Sequence, residues 1–201
     1  MGPQEKIFTT ALKEFAEKGE ANDICAQTIY AAIACGGGEV ALYTLLAGIY
    51  RRHLRDHNQS LRLSINQQIK FGVRPDFQVH HAGSFESPIF VAEFKLLFEK
   101  GESNSHPNNV IMKITQDVNR LAGFSQKNIE RIAVVFHHSI KEKPKEEIDS
   151  SICSLGFKLM HSIQLWTLPQ IPNPGYLHLY LASNEAIITL GKPINEPLFS
   201  A

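Results

Sequence analysis

Asp76, Glu93 and Lys95 are the residues whose types and spacing could do chemistry. The stretch 87–98, SPIFVAEFKLLF, places Glu93 and Lys95 two positions apart inside an otherwise apolar run. Such a run reads as a buried strand, with Pro88 fitting only its start. Side chains two apart on a strand share a face, so a carboxylate and an ammonium lie together where an unpaired charge is costly. Upstream, Pro75 and Asp76 open a second strand in RPDFQVHHAG. A tight connection around Gly83 and Ser84 would fold this strand back on the next and set Asp76 beside Glu93. Two carboxylates about 4 Å apart repel by roughly 4 kcal/mol at an effective dielectric near 20, so the arrangement calls for a cation or a shared proton. A hard divalent ion suits oxygen ligands of this kind. Mg²⁺ takes one or two carboxylates together with water and phosphate oxygens. Lys95, on the same face, could orient or deprotonate an attacking water, or neutralise charge that develops on a phosphorus centre.

The elements that must position these residues are legible from periodicity. Ile7, Phe8, Ala11, Leu12 and Phe15 recur at helical spacing, predicting a helix that ends near Gly19. A second helix is expected over 22–35, capped by Asn22 and Asp23 and broken by the glycines at 36–38. That glycine run has neither a preceding strand nor the lysine of a phosphate-binding loop. A third helix is expected over 39–55, with Val40, Leu42, Leu45, Leu46 and Ile49 as its apolar positions. LRLSINQQIKFGV, RPDFQVHHAG and the apolar run then read as an antiparallel three-stranded meander. After the loop GESNSHPNN comes a helix in NNVIMKITQDVNRLAGF, carried by Val110, Ile111, Ile114, Val118 and Leu121. IERIAVVFHH reads as a buried strand, KEEIDSSICSLGF as a helix, and YLHLYLAS and EAIITL as late strands. The order is mixed α/β, without an internal repeat.

The bulk numbers set limits on the partner. The 201 residues, 43% of them hydrophobic, suit one domain with a sizeable core. Twenty Lys and Arg balance twenty Asp and Glu, so no global field advertises a polyanion, and any nucleic-acid contact must rest on local patches. Cys25, Cys35 and Cys153 form no CxxC pair and no disulfide framework, which points to a reducing cytoplasm. The first residues lack a signal-peptide pattern, and no apolar run is long enough for a bilayer span, so no membrane partner is expected.

Pro75-Asp76 followed by Glu93-Phe94-Lys95 resembles the PD-(D/E)xK signature of the restriction-endonuclease-like nuclease superfamily. The resemblance extends to the order of elements over about 38–137: a helix with an acid, a meander, a helix and a further strand. It implies a restriction-endonuclease-like core, a central mixed sheet with an antiparallel meander flanked by helices, preceded by the N-terminal helices of 1–57 and followed by a helix and strands in 138–201. It implies Asp76, Glu93 and the Phe94 carbonyl as metal ligands, with Lys95 catalytic and Mg²⁺ or Mn²⁺ as cofactor. Glu39 matches the acid that many members carry on the preceding helix, as a further ligand. Gln116 matches a glutamine of the following helix, although the aromatic residue expected four positions later is Arg120 here.

The expected activity is therefore metal-dependent hydrolysis of nucleic-acid phosphodiesters, with DNA favoured by the resemblance. A homodimer or a protein partner would supply specificity. Arg51, Arg52 and Arg55 at a helix C-terminus, and Lys113 and Arg120 on the helix of Gln116, are candidates for contact with nucleic acid. Dipole partners or a solvated face would explain the same residues. His53 and His57 have the i,i+4 spacing of a zinc pair but no evident third ligand. In His80-His81 and His137-His138 the neighbours point to opposite strand faces, so neither pair chelates as a unit. Two rival readings are a non-catalytic binding or assembly module with a nuclease-like fold, and a metal hydrolase of small phosphate esters.

Overall fold

The computed structural model of the chain describes residues 1–20, 24–34, 38–66, 74–84, 86–98, 107–124, 128–165 and 175–190. Helices α1 (Pro3–Glu20), α2 (Ile24–Ala34) and α3 (Gly38–His57) precede strands β1 (Leu61–Ile65), β2 (Phe77–His81) and β3 (Phe90–Phe98). Helix α4 (Pro107–Ala122), strand β4 (Glu130–Ser139), helix α5 (Glu146–Ser154), strands β5 (Lys158–Gln164) and β6 (Tyr176–Ala182) and helix α6 (Asn184–Leu190) complete the order. The expected cap at Asn22 and Asp23 and the glycines 36 and 37 lie outside the described residues.

The six strands form one mixed sheet in the order β1-β2-β3-β4-β6-β5. Its β1-β2-β3 portion is the antiparallel meander expected from short segments separated by Gly, Pro and polar residues, and Gly83, at φ 85°, supplies the left-handed residue of the turn between β2 and β3. Only β3 and β4 run parallel, joined by the crossover that contains α4.

Alternation along the strands divides the core into two layers. Phe90, Ala92 and Phe94 of β3 pack with Ile132, Val134 and Phe136 of β4 under α1 and α3. Val91 and Leu97 pack with Ala133 and Val135 under α4 and α5. Phe94 is fully buried, 4.6 Å from the Phe77 ring and stacked at 6.0 Å on Phe136. Each such aromatic contributes a few kcal/mol of burial, on the order of 1.5–3. With Phe94 held in one layer, its neighbours Glu93 and Lys95 must point into the other.

Two expectations are corrected and one strand is added to them. EAIITL forms α6 rather than a strand: Ser183 accepts a hydrogen bond from Ala186 N through its hydroxyl (3.3 Å) and from Ile187 N through its carbonyl (3.0 Å), which caps a helix start. Residues 158–164, which carry no clean alternation, pair with β6 as the edge strand β5. On α3 the buried face is rotated from the one expected: Val40 is 57% exposed, while Tyr43, Ala47, Tyr50 and Leu54 join Leu42, Leu46 and Ile49 inside. Tyrosine serves here as a large apolar surface with a polar tip. Among the described residues no helix is long and apolar enough to cross a membrane.

Candidate active site

The register places Phe77 opposite Ala92, so Asp76, one step before β2, faces Glu93 across the meander as the turn chemistry predicts. Glu93 and Lys95 sit mid-strand in the nine residues of β3. Beyond Ala92, β3 has outrun β2, and the N–H groups on that edge need other acceptors. Two carboxylates supply them. Phe94 N donates to Asp76 Oδ2 at 2.8 Å, and Leu96 N donates to Glu39 Oε2 at 2.8 Å. Asp76 and Glu39 thus continue the ladder with side-chain oxygens. In an extended chain the N–H and C=O of one residue leave the same edge, so the Phe94 carbonyl is directed toward the edge that Asp76 occupies.

On the face of β3 opposite the Phe94 ring, Lys95 Nζ lies 3.5 Å from Glu39 Oε1 and 3.2 Å from Asp117 Oδ2. Arg120 Nη2 lies 2.6 Å from Glu93 Oε1 and 2.8 Å from Asp117 Oδ1. Glu93 is 3% exposed, and its Oε1 is ion-paired by position without an aligned hydrogen bond. Four carboxylates therefore meet two cations in a small volume. A cavity of about 10 Å³ lined by Glu93, Lys95, Ile114, Asp117 and Phe157 adjoins them, near the smallest space that holds one water.

Burial first, and then the charge of Asp76, lift Glu93 from 4.5 to about 8, with Arg120 opposing the shift. Asp76 is also raised, by burial that outweighs the Phe94 N–H and Lys95, and the two acids are hydrogen-bonded to each other. Burial and the neighbouring acid thus favour the protonated form of Glu93. Burial raises Glu39 as well, against the pull of Lys95 and the Leu96 N–H. For Lys95, burial works to lower the value, but Glu39, Asp117 and Asp76 outweigh it and keep the ammonium charged.

Of the expected site residues, the fold brings together Glu39, Asp76, Glu93, Phe94, Lys95 and Arg120. It does not bring Gln116, which is exposed on α4, or Lys113, exposed on the same helix. The neighbour of Gln116 takes its place: Asp117, 8% exposed, is the acid that α4 delivers. The sequence carried a signal for it, because Ile114, Asp117, Val118 and Leu121 follow the 3, 4, 7 spacing of a buried stripe. An acid on that stripe marks a polar site.

Arg51, Arg52 and Arg55 lie toward the far end of α3, roughly 18–24 Å from Glu39 by helical rise. Arg52 pairs with Glu14 of α1, and His53 Nε2 sits 2.8 Å from Glu14 Oε2, joining α1 to α3. Among the described residues, no three His, Cys, Asp or Glu side chains form a ready metal-binding group. His80 and His137 are fully buried while His81 is exposed and His138 partly so, as opposite faces require. No family model, curated protein or solved structure matches the chain.

Proposed function

We propose that the chain is a metal-dependent nuclease of the PD-(D/E)xK type that hydrolyses phosphodiester bonds, DNA being the expected substrate. The observation that carries the reading is the meeting of Asp76, just before β2, and Glu93 of β3 beside the charged Lys95. The donor set is made of oxygens, and Glu93 Oε1 is buried without an aligned donor, which fits a hard divalent cation. Asp76, Glu93 and the Phe94 carbonyl would hold Mg²⁺ or Mn²⁺, as two carboxylates and a backbone oxygen commonly do alongside water and substrate oxygens. Such an ion, when bound, lowers the pKa of water and stabilises charge on a phosphoryl group.

The chain's own residues supply the rest. Lys95, kept as an ammonium, suits holding water and countering charge on the phosphorane oxygens better than removing a proton. Glu39 and Asp117 fix the ammonium from two sides. In the reaction the water oxygen gives up a proton to solvent as it bonds to phosphorus, one phosphoester P–O bond breaks, and the leaving oxygen takes up a proton.

The test is cleavage of supercoiled plasmid, linear duplex, single-stranded DNA and RNA in Mg²⁺, Mn²⁺ or EDTA, beside Asp76→Ala and Lys95→Ala. Metal-dependent cleavage should fall at least about a hundredfold in both variants. Equal cleavage by parent and variants overturns the assignment. One observation favours a non-catalytic binding module: Lys95 and Arg120 already lie within ion-pair distance of Glu39, Glu93 and Asp117. Duplex binding without any cleavage by the parent would select that reading.

A further inference from the structure

Arg120 stands where the PD-(D/E)xK resemblance leads one to expect an aromatic residue, and its guanidinium reaches from the surface into the site. A single nitrogen, Nη2, approaches both Glu93 at 2.6 Å and Asp117 at 2.8 Å. The two carboxylates differ in what they can offer. Asp117 is three residues away on the same helix, and its hydrogen bond to Arg120 is a local one. Glu93 belongs to β3, is almost fully buried, and its Oε1 receives the guanidinium without the alignment of a hydrogen bond. The Arg120 side chain is 43% exposed, so it can leave Glu93 while Asp117 keeps it at the rim.

We propose that Arg120 is a resident counter-ion for Glu93 that competes with the divalent cation for that carboxylate, and that once released it remains on Asp117 to bind a phosphate of the substrate. The inference rests on the nuclease reading for the substrate, but its first half concerns only the cation. Once Glu93 is ionised, two positive groups cannot share that one buried carboxylate without strong repulsion, so whichever holds it must yield when the other arrives. A planar guanidinium held at the mouth of such a site matches two phosphate oxygens at once, which an ammonium cannot do. Cation binding and substrate binding would then be linked through one side chain. An ion on Glu93 frees the group that grips the phosphate.

The experiment is Mn²⁺ titration of the full chain by calorimetry, without substrate, for the parent, Arg120→Gln and Arg120→Lys, with plasmid cleavage measured in parallel. Arg120→Gln should bind Mn²⁺ about tenfold tighter and cleave at least tenfold more slowly at saturating Mn²⁺. Arg120→Lys, which keeps a charge, should show little of the gain in affinity. A merely structural arginine would not tighten the metal. Unchanged or weaker Mn²⁺ binding by a folded Arg120→Gln overturns the proposal.

Should that variant fail to fold, the parent labelled with ¹⁵N-arginine answers the same question. The Arg120 side-chain signal should shift on Mg²⁺ addition, and a signal indifferent to saturating Mg²⁺ overturns the proposal. A parent that binds no Mn²⁺ sinks both this inference and the nuclease reading. A parent that binds Mn²⁺, with Arg120→Gln tighter but no cleavage by either, sinks the nuclease reading while the counter-ion role stands.

Discussion

Glu93 joins the chemistry of the site to the stability of the chain. In the folded state its proton is held to about pH 8, whereas the unfolded chain gives it up near 4.5. Between those values the folded state binds more protons than the unfolded one, so without a cation each step upward in pH lowers stability. The accumulated loss is at most about 5 kcal/mol. Asp76 and Glu39, also raised by burial, act in the same direction. Glu93→Gln, which imitates the protonated acid, removes that loss. In EDTA at pH 8 its urea midpoint should exceed that of the parent, and at pH 5 the two should converge. A parent whose stability is flat from pH 5 to 8 would contradict the account. Asp76, Glu93 and Lys95 were legible because a charge in an apolar strand has few bland explanations. Asp117 was passed over in favour of Gln116, since one residue on a helix turns the side chain by about 100°, from solvent into the stripe.

At the scale of elements, β3 and α4 determine whether the charged residues meet. Phe94 anchors β3 in the aromatic cluster with Tyr43, Phe77 and Phe136. Phe94→Ala should cost about 3–5 kcal/mol in chemical denaturation. It should also lower cleavage beyond what the loss of folded protein explains. Helix α4 is fastened at its C-terminal end by Arg131 of β4, which is 7% exposed. Arg131 Nε donates to Leu121 O at 2.9 Å and Nη2 to Phe124 O at 2.5 Å. Arg131→Met should destabilise the chain by about 2–3 kcal/mol and lift hydrogen-exchange protection first in α4. Protection lost evenly across all elements would deny α4 this separate anchor. The apolar periods of α1 and α4 were readable because each has one wet face and one dry face, and the meander strands because turn residues bound them. EAIITL was not, since a short apolar run suits either period, and the deciding group was the Ser183 cap. Edge strand β5 is mostly exposed or half-buried on both faces, with apolar Leu159 exposed, and so offers little alternation.

Across the whole molecule, the site lies where three layers converge. Glu39 comes from the helical layer that holds α1 and α3, Asp76, Glu93 and Lys95 from the sheet, and Asp117 and Arg120 from α4 on the opposite face. No one layer contains it. With twenty positive and twenty negative side chains, the chain has no long-range pull on a polyanion, so any duplex binding would rest on the few cations at the proposed site. Fluorescence anisotropy with Asp76→Asn, which should bind without turnover, is expected to give a log affinity against log salt slope no steeper than about −3. A slope steeper than about −6 would mean that the distant Arg51, Arg52 and Arg55 end of α3 also meets the duplex.

The sequence by itself determined the strand and helix periods, the shared face of Glu93 and Lys95, and the turn that returns Asp76 to them. These follow from backbone geometry within a few residues. Only the tertiary structure decided that Glu39 completes the open edge of β3, that Asp117 rather than Gln116 enters the site, and that Arg120 closes it. Those choices depend on where β2 stops pairing and on how α4 lies over the sheet. Both are settled by packing between residues far apart in the chain, which no local period encodes.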